Sequence, residues 1–370
     1  MSAKFIWKLI TIILIFAFSS CSMTDNDVAS LSISTVQHIT PVPKTISDLW
    51  TSRSPNGEWD AYLSPLITTA VITSTSSRIS FEDNFEVGSY NSIVSWFPDN
   101  SGFIVFDANQ GCSHCSYDRL TIYHIIAPTN EFSHFEFHPL LEPNTALPYQ
   151  PISWSFDGLQ FAIIVGEFNS EQIYILDRYA NVIRVIEPQL SDEETIDQVI
   201  WAEESLIYSV RNLSGIAQST EVRMINLNKQ VTTEAILRRE SDHPRILSVS
   251  PGSDYLLIST LRISVEPSLG EIGVFDIKNR RFVNTIYQFY GDEYPYFDYL
   301  ESDNRQIVGL QLYNKGDTLF VYDWNTQELV DTKVTIDALL GWRDDQNSFI
   351  VLRSNKLNNP IQWIELLPYK

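Results

Sequence analysis

Three cysteines and a few polar clusters are the places where this sequence could do chemistry. Cys112-Ser113-His114-Cys115 sets two thiols close together in a polar stretch between GFIVF and LTIYHI. In an oxidising compartment such a pair is expected to form a local disulfide. A redox centre would want a helix N-terminus to depress a thiol pKa, and none is expected here. A zinc site would need two more ligands, and only His114 is adjacent. Haem attachment wants histidine directly after the second cysteine, where Ser116 stands. His134, Glu136 and His138 alternate with Phe135 and Phe137, so they share one face of a strand. The two histidines are then about 13 Å apart, too far to hold one ion, and the expected role is a solvated outer face. The chain has no Gly-x-Ser-x-Gly elbow, His-Glu-x-x-His, calcium loop or phosphate loop. No catalytic residue, metal ligand or cofactor is assigned.

The remaining cysteine sits at the end of a different pattern. Residues 1–20 carry Lys4 and Lys8, an apolar run from Leu9 to Phe18, then Ser19 and Ser20. That order reads as a secretory signal peptide. Ten apolar residues rise only about 15 Å, roughly half the hydrocarbon thickness, which argues against a membrane span. Phe18-Ser19-Ser20-Cys21 resembles a bacterial lipobox, with Phe18 in place of the usual aliphatic residue, and makes Cys21 the expected lipid attachment site. Residues 21–43 then read as a tether of Ser, Thr, Asp, Asn and Pro, with a possible strand around Leu31, Ile33, Thr35 and Val36. Export, lipid anchoring and a place in the cell envelope follow as expectations.

Composition limits the partners. The formal charge is −21, and loss of Lys4 and Lys8 with the leader deepens it to −23. Such a surface repels phosphate backbones, so nucleic acid is excluded as an expected partner. Hydrophobic residues at 44 %, with 9 Trp, 17 Tyr and 20 Phe, suffice for a packed globular core.

The elements that must position these groups recur along residues 44–370. Each unit has an apolar strand, a polar turn with Asp, Asn or Gly, and a second apolar strand. The clearest are Ser54-Pro55-Asn56-Gly57 before WDAYL, Trp96-Phe97-Pro98-Asp99-Asn100 before GFIVF, and Trp154-Ser155-Phe156-Asp157-Gly158 before QFAIIV. Weaker copies centre on Glu204, Gly252, Asp303 and Asp345, at intervals of 42 to 58 residues through the series. That spacing is one four-stranded propeller blade. Asp, Asn and Gly tolerate left-handed backbone, and Pro presets the first turn dihedral. The expected fold is therefore all-β, a β-propeller of seven four-stranded blades, with six or eight as the alternatives. The last copy ends one strand short, so a strand within residues 28–40 is expected to close the blade against 361–367.

At these turns the chain resembles the WD40-like repeat of TolB-type propellers, related to the propeller domains of prolyl-oligopeptidase-like enzymes. The resemblance covers roughly residues 45–367, with three close motifs and four worn ones. It implies a rigid scaffold for extracytoplasmic recognition. The chain leaves no room for the α/β domain that precedes the propeller in TolB-type proteins, so that specific role is not implied. Ser155-Phe156-Asp157-Gly158 also approaches a sialidase Asp-box, but its glycine comes one residue early, and it reads as a structural turn.

Two function classes remain: a binding or assembly platform for a protein or small cationic ligand, and a hydrolase with its site in the central channel. The absence of a recognisable catalytic motif favours the first. For the binding face, the repeat puts Glu82, Asp83 and Glu86, then Asp192, Glu193, Glu194 and Asp197, then Asp292 and Glu293, in blade-to-blade connections. Like charges on one rim would favour a cationic ligand, a divalent ion or a basic protein patch. Phe289 and Tyr290 are expected in the same loop as Asp292, ahead of an innermost strand at Tyr296 to Leu300.

Overall fold

The computed structural model describes residues 37–42, 50–54, 59–63, 70–74, 80–83, 93–108, 117–126, 131–137, 152–166, 170–212, 219–228, 233–240, 244–262, 269–290, 297–302, 306–312, 317–343, 347–354 and 362–369. Every regular element among them is a strand, and no helix occurs. The strands form seven four-stranded sheets. Six are meanders of consecutive strands, spanning 50–83, 93–137, 152–186, 194–240, 245–290 and 297–335. They are called here the first to sixth sheets. The seventh spans 338–368 and takes its fourth strand from the other end of the chain. Gln37–Val42 lies antiparallel to Gln362–Pro368, with Gln37 opposite Leu366 and Val42 opposite Gln362. The strand starts within the expected window and runs two residues past it; residues 28–36 lie outside the described residues.

The first strands of the sheets face one another. Trp50–Arg53 lies beside both Ile93–Trp96 and Ala338–Arg343, and Glu194–Ala202 beside both Ile152–Trp154 and Arg245–Val249. First strands are thus innermost and fourth strands outermost, which is the arrangement of a β-propeller.

Strand periodicity explains how each sheet packs on two neighbours, because alternate side chains point to opposite faces. In the third sheet Phe161, Ile163 and Val165 pack toward the second, and Ala162 toward the fourth. In the fifth, Leu256 and Ile258 pack toward the fourth and Leu257 toward the sixth. Five such interiors are described, running pair by pair from the second sheet to the seventh. Each fully buried Leu, Ile or Phe contributes about 1.5–3 kcal/mol.

The repeated turn serine has a specific task. The hydroxyls of Ser54, Ser155, Ser250 and Ser302 accept the backbone N–H five residues on, from Trp59, Gln160, Tyr255 and Ile307, at 3.0–3.1 Å. Three residues after the turn's first position the backbone is left-handed, at Asn100 (φ 63°), Gly158 (φ 62°) and Ser253 (φ 55°). Asn and Gly suit that conformation, and the fifth sheet carries Ser253 there instead. Third strands end in Asp177, Asp276 and Asp323, whose carboxylates accept N–H groups of the next turn, from Tyr179, Asn279 and Asn325.

A second set of polar residues ties innermost strands together. Ser95 Oγ accepts Trp154 Nε1–H at 3.1 Å, Ser153 Oγ accepts the Trp201 N–H at 2.7 Å, and Ser248 Oγ donates to Glu301 at 2.6 Å. Each bond joins one sheet to the next.

Candidate functional site

Antiparallel order puts the first-to-second and third-to-fourth turns on one side, here the turn side. The other connections lie on the loop side. Asp192 and Glu193 are exposed there, just before the innermost strand of the fourth sheet. Glu194 and Asp197, expected in the connection, instead belong to that strand, Glu194–Ala202. Both are paired. Arg223 reaches from the third strand to Glu194 at 2.9 Å and to Glu221 at 2.5 Å, and Asp197 pairs with Arg211 at 2.9 Å. Glu82 and Asp83 close the outermost strand of the first sheet, Ser80–Asp83. Glu86, Asp292 and Glu293 lie outside the described residues.

Phe289 corrects an expectation. It lies with Tyr290 at the end of the outermost strand Arg281–Tyr290 and not in a loop. Its ring is 3 % exposed and covers Gly270, where an added Cβ would come within 1.6 Å of it. The glycine makes room for an aromatic core residue, so Phe289 is no binding surface.

Toward the axis a polar network crosses three sheets. Gln198 Nε2–H donates to the Ile246 carbonyl at 2.6 Å while Gln198 Oε1 accepts the Ile246 N–H at 3.0 Å. The same amide nitrogen lies 3.2 Å from the Tyr299 hydroxyl, and the Arg245 guanidinium sits 4.8 Å above the Tyr299 ring. Burial pushes the Tyr299 phenol up to about 12. Next to Gln198, Asp197 is the extra residue of a β-bulge between Ile196 and Gln198, a device that re-aims a side chain. Burial pushes its carboxyl up, against the pull of Arg211. Asp197 thus pairs with Arg211 and Arg245 lies over Tyr299 on the inner strands of three neighbouring sheets, with Gln198 bonded to Ile246 and Tyr299 between them.

The turn side between the second and third sheets has a different character. Arg178 leaves the third sheet and donates to Asp99 Oδ2 at 2.6 Å, Ser101 Oγ at 3.0 Å and the Gly158 carbonyl at 2.6 Å. Its guanidinium lies 4.9 Å above the Phe97 ring. The Arg178 carbonyl accepts His124 Nε2–H at 2.7 Å. His124 in turn stacks on Tyr179 with centroids 5.0 Å apart, and Phe135 meets both rings edge-on. Four side chains stay open to solvent at this seam: Phe135 at 37 %, Phe156 at 45 %, Leu159 at 55 % and Tyr179 at 56 %. Val182, Ile183 and Val185, on the third sheet's outermost strand, are exposed as well. Only Val283, among the eight large exposed apolar residues described, lies elsewhere. Phe135 alternates with His134 and Glu136 along the strand Glu131–Phe137, and its own face is open to solvent in this cluster.

The carboxylates here are held ionised. Hydrogen bonds from Ser155 and the Leu159 N–H lower the Asp157 pKa. Burial works against Asp99, but Ser101 and Arg178 outweigh it and its pKa too is lowered. Sequence reasoning took 155–158 as a turn and stopped there. A signal existed, in that Phe156 and Leu159 are large apolar residues at turn positions that usually carry polar ones.

Cys21, Cys112, Cys115 and His138 lie outside the described residues, and the side chains of His134 and Glu136 are not described. Among the described residues no three His, Cys, Asp or Glu side chains gather as metal ligands, and no helix is long and apolar enough to cross a membrane.

No protein-family model matches the chain, and no characterised protein matches it by sequence. Solved structures do match in fold. An oligogalacturonate lyase in complex with manganese aligns with TM-score 0.53 at 10 % identity, over 90 % of this chain and 93 % of that one. The Swd1 β-propeller domain of Myceliophteria thermophila aligns with TM-score 0.50 at 11 % identity, over 90 % and 99 %. TolB from Acinetobacter baumannii gives TM-score 0.43 at 14 % identity, over 76 % of this chain and 62 % of that one. At these identities the likeness is one of fold.

Proposed function

We propose that the chain is an exported, lipid-anchored propeller of seven blades, one per sheet, serving as a binding or assembly platform for a protein or small cationic ligand at the cell envelope. The carrying observation is that seven of the eight large exposed apolar side chains described belong to the second and third sheets, because exposed apolar surface gathered in one region marks an interaction site. Ring closure is supported by the pairing of Gln37–Val42 with Gln362–Pro368 and by the place of Trp50–Arg53 between the second and seventh sheets. Export and the anchor are supported by the leader and by Cys21. The membrane is touched through the acyl chain only, and Cys112 and Cys115 form a local disulfide.

The test is retrieval of the protein from its own cells after cross-linking, beside a Cys21→Ala variant grown with labelled fatty acid. A discrete partner on the wild type and loss of label from the variant are expected; no specific partner would defeat the platform reading.

The innermost strand of the fourth sheet favours a second reading, a hydrolase. A bulge carboxyl whose pKa is raised by burial, paired with Arg211, is the kind of group that donates a proton. Turnover of any chromogenic glycoside or ester that Asp197→Asn abolishes would move the assignment there.

A further inference from the structure

We propose that the turn-side seam between the second and third sheets is a docking surface for an extended polypeptide segment of a partner that alternates Arg or Lys with apolar residues. This rests on the platform reading and names its contact surface. Three features point to that chemistry. Tyr179 is stacked by His124 on one face yet is 56 % exposed, so its other face is presented to solvent. An open aromatic face attracts guanidinium and ammonium groups. Leu159 and Phe156 flank it in the neighbouring turn with apolar surface that would gain from burial.

The charge completes the match. Asp157 lies in the same turn as Phe156 and Leu159 and is held ionised, and Asp177 lies at the base of the turn bearing Tyr179. The neighbouring cation, Arg178, is only 12 % exposed and already bonds Asp99, Ser101 and Gly158. The seam therefore presents negative charge around an apolar centre, on a protein of net charge −21. An anionic membrane would be repelled by the same field, and an acidic peptide likewise.

The test uses the full folded chain and three labelled octapeptides: alternating Arg and Leu, the same with Glu for Arg, and the same with Ser for Leu. Fluorescence anisotropy at physiological salt should show binding of the Arg-Leu peptide at least tenfold tighter than of either other. The double variant Y179S/L159S should lose at least tenfold in affinity, while D192K/E193K on the loop side stays within about twofold. If the double variant melts early, L159S alone carries the comparison and should lose at least threefold. Arg-Leu binding unchanged by the seam substitutions, no binding, or preference for phosphatidylglycerol vesicles would overturn the proposal. Should the peptides ignore the seam while cross-linking still captures a native partner, the platform stands and the seam fails.

Discussion

The loop-side rim and the turn-side seam carry similar residue types to opposite effect. At the rim Glu194 and Glu221 converge on Arg223, and Asp197 is held by Arg211. At the seam Arg178 is folded inward over Phe97, while Tyr179, Phe156 and Leu159 face water. Counting charges along the chain pointed to the rim as the binding face. Of those acids Glu194 and Asp197 are taken up by arginines of the same fold, whereas Asp192 and Glu193 stay exposed. An aromatic in a turn can be more informative than an acid in a connection.

The comparison can be broken most severely at Phe289. If it is core, as its burial says, Phe289→Ala should cost about 3–5 kcal/mol in urea unfolding. Tyr179→Ala at the open seam should cost well under about 1 kcal/mol. Equal effects would mean that Phe289 is not the core residue its burial indicates.

Removing Arg223 should also matter. Glu194 and Glu221 are largely sheltered, and hydrogen bonds to charged groups are worth about 1.5–3 kcal/mol. Arg223→Met should destabilise by about 2 kcal/mol, and adding Glu194→Gln and Glu221→Gln should recover part of the loss. Without any recovery, the pairing would not be what Arg223 supplies.

At Gly158 the backbone is left-handed, and an added Cβ would lie 3.2 Å from both Arg178 and Pro98. Gly158→Ala should therefore cost about 1–2 kcal/mol. Gly252 is also left-handed but meets nothing within 4 Å, so Gly252→Ala should cost only the backbone part of that. Thermal melts of the two variants separate the contributions.

The smallest effect is one of sign. Asp157 has a lowered pKa, so its stabilisation is present above the ordinary carboxylate value and is lost as pH falls through the folded value. Asp197 has a raised pKa, so its ionised form is disfavoured in the fold, and stability rises as pH falls through the folded value and is fully gained below the ordinary carboxylate value. Asp157→Asn should flatten the acid-side loss and Asp197→Asn should remove a gain. Shifts of the same sign in both would contradict the environments described.

Much of the fold was legible because the repeat is chemical as well as periodic. Serine, Asp and Gly recur where a hydroxyl, a carboxylate and a left-handed residue are needed, as at Ser155, Asp157 and Gly158. The long-range pairs were not legible. Arg178 meets Asp99 across 79 residues and Gln198 meets Ile246 across 48, and nothing local announces either. Phe289 was misplaced because the outermost strand of the fifth sheet runs ten residues, past the point where the aromatic run suggested a loop. The seam was missed because a turn motif was read only for its backbone.

The proposed docking surface is the seam between the second and third sheets and not the acidic rim. A photo-reactive benzoylphenylalanine placed at position 179 or at position 193 of the full-length protein, irradiated in its own cells, tests it directly. Docking at the seam gives a discrete partner adduct from position 179 and none from position 193; an adduct from position 193 alone, or from neither position, rules it out.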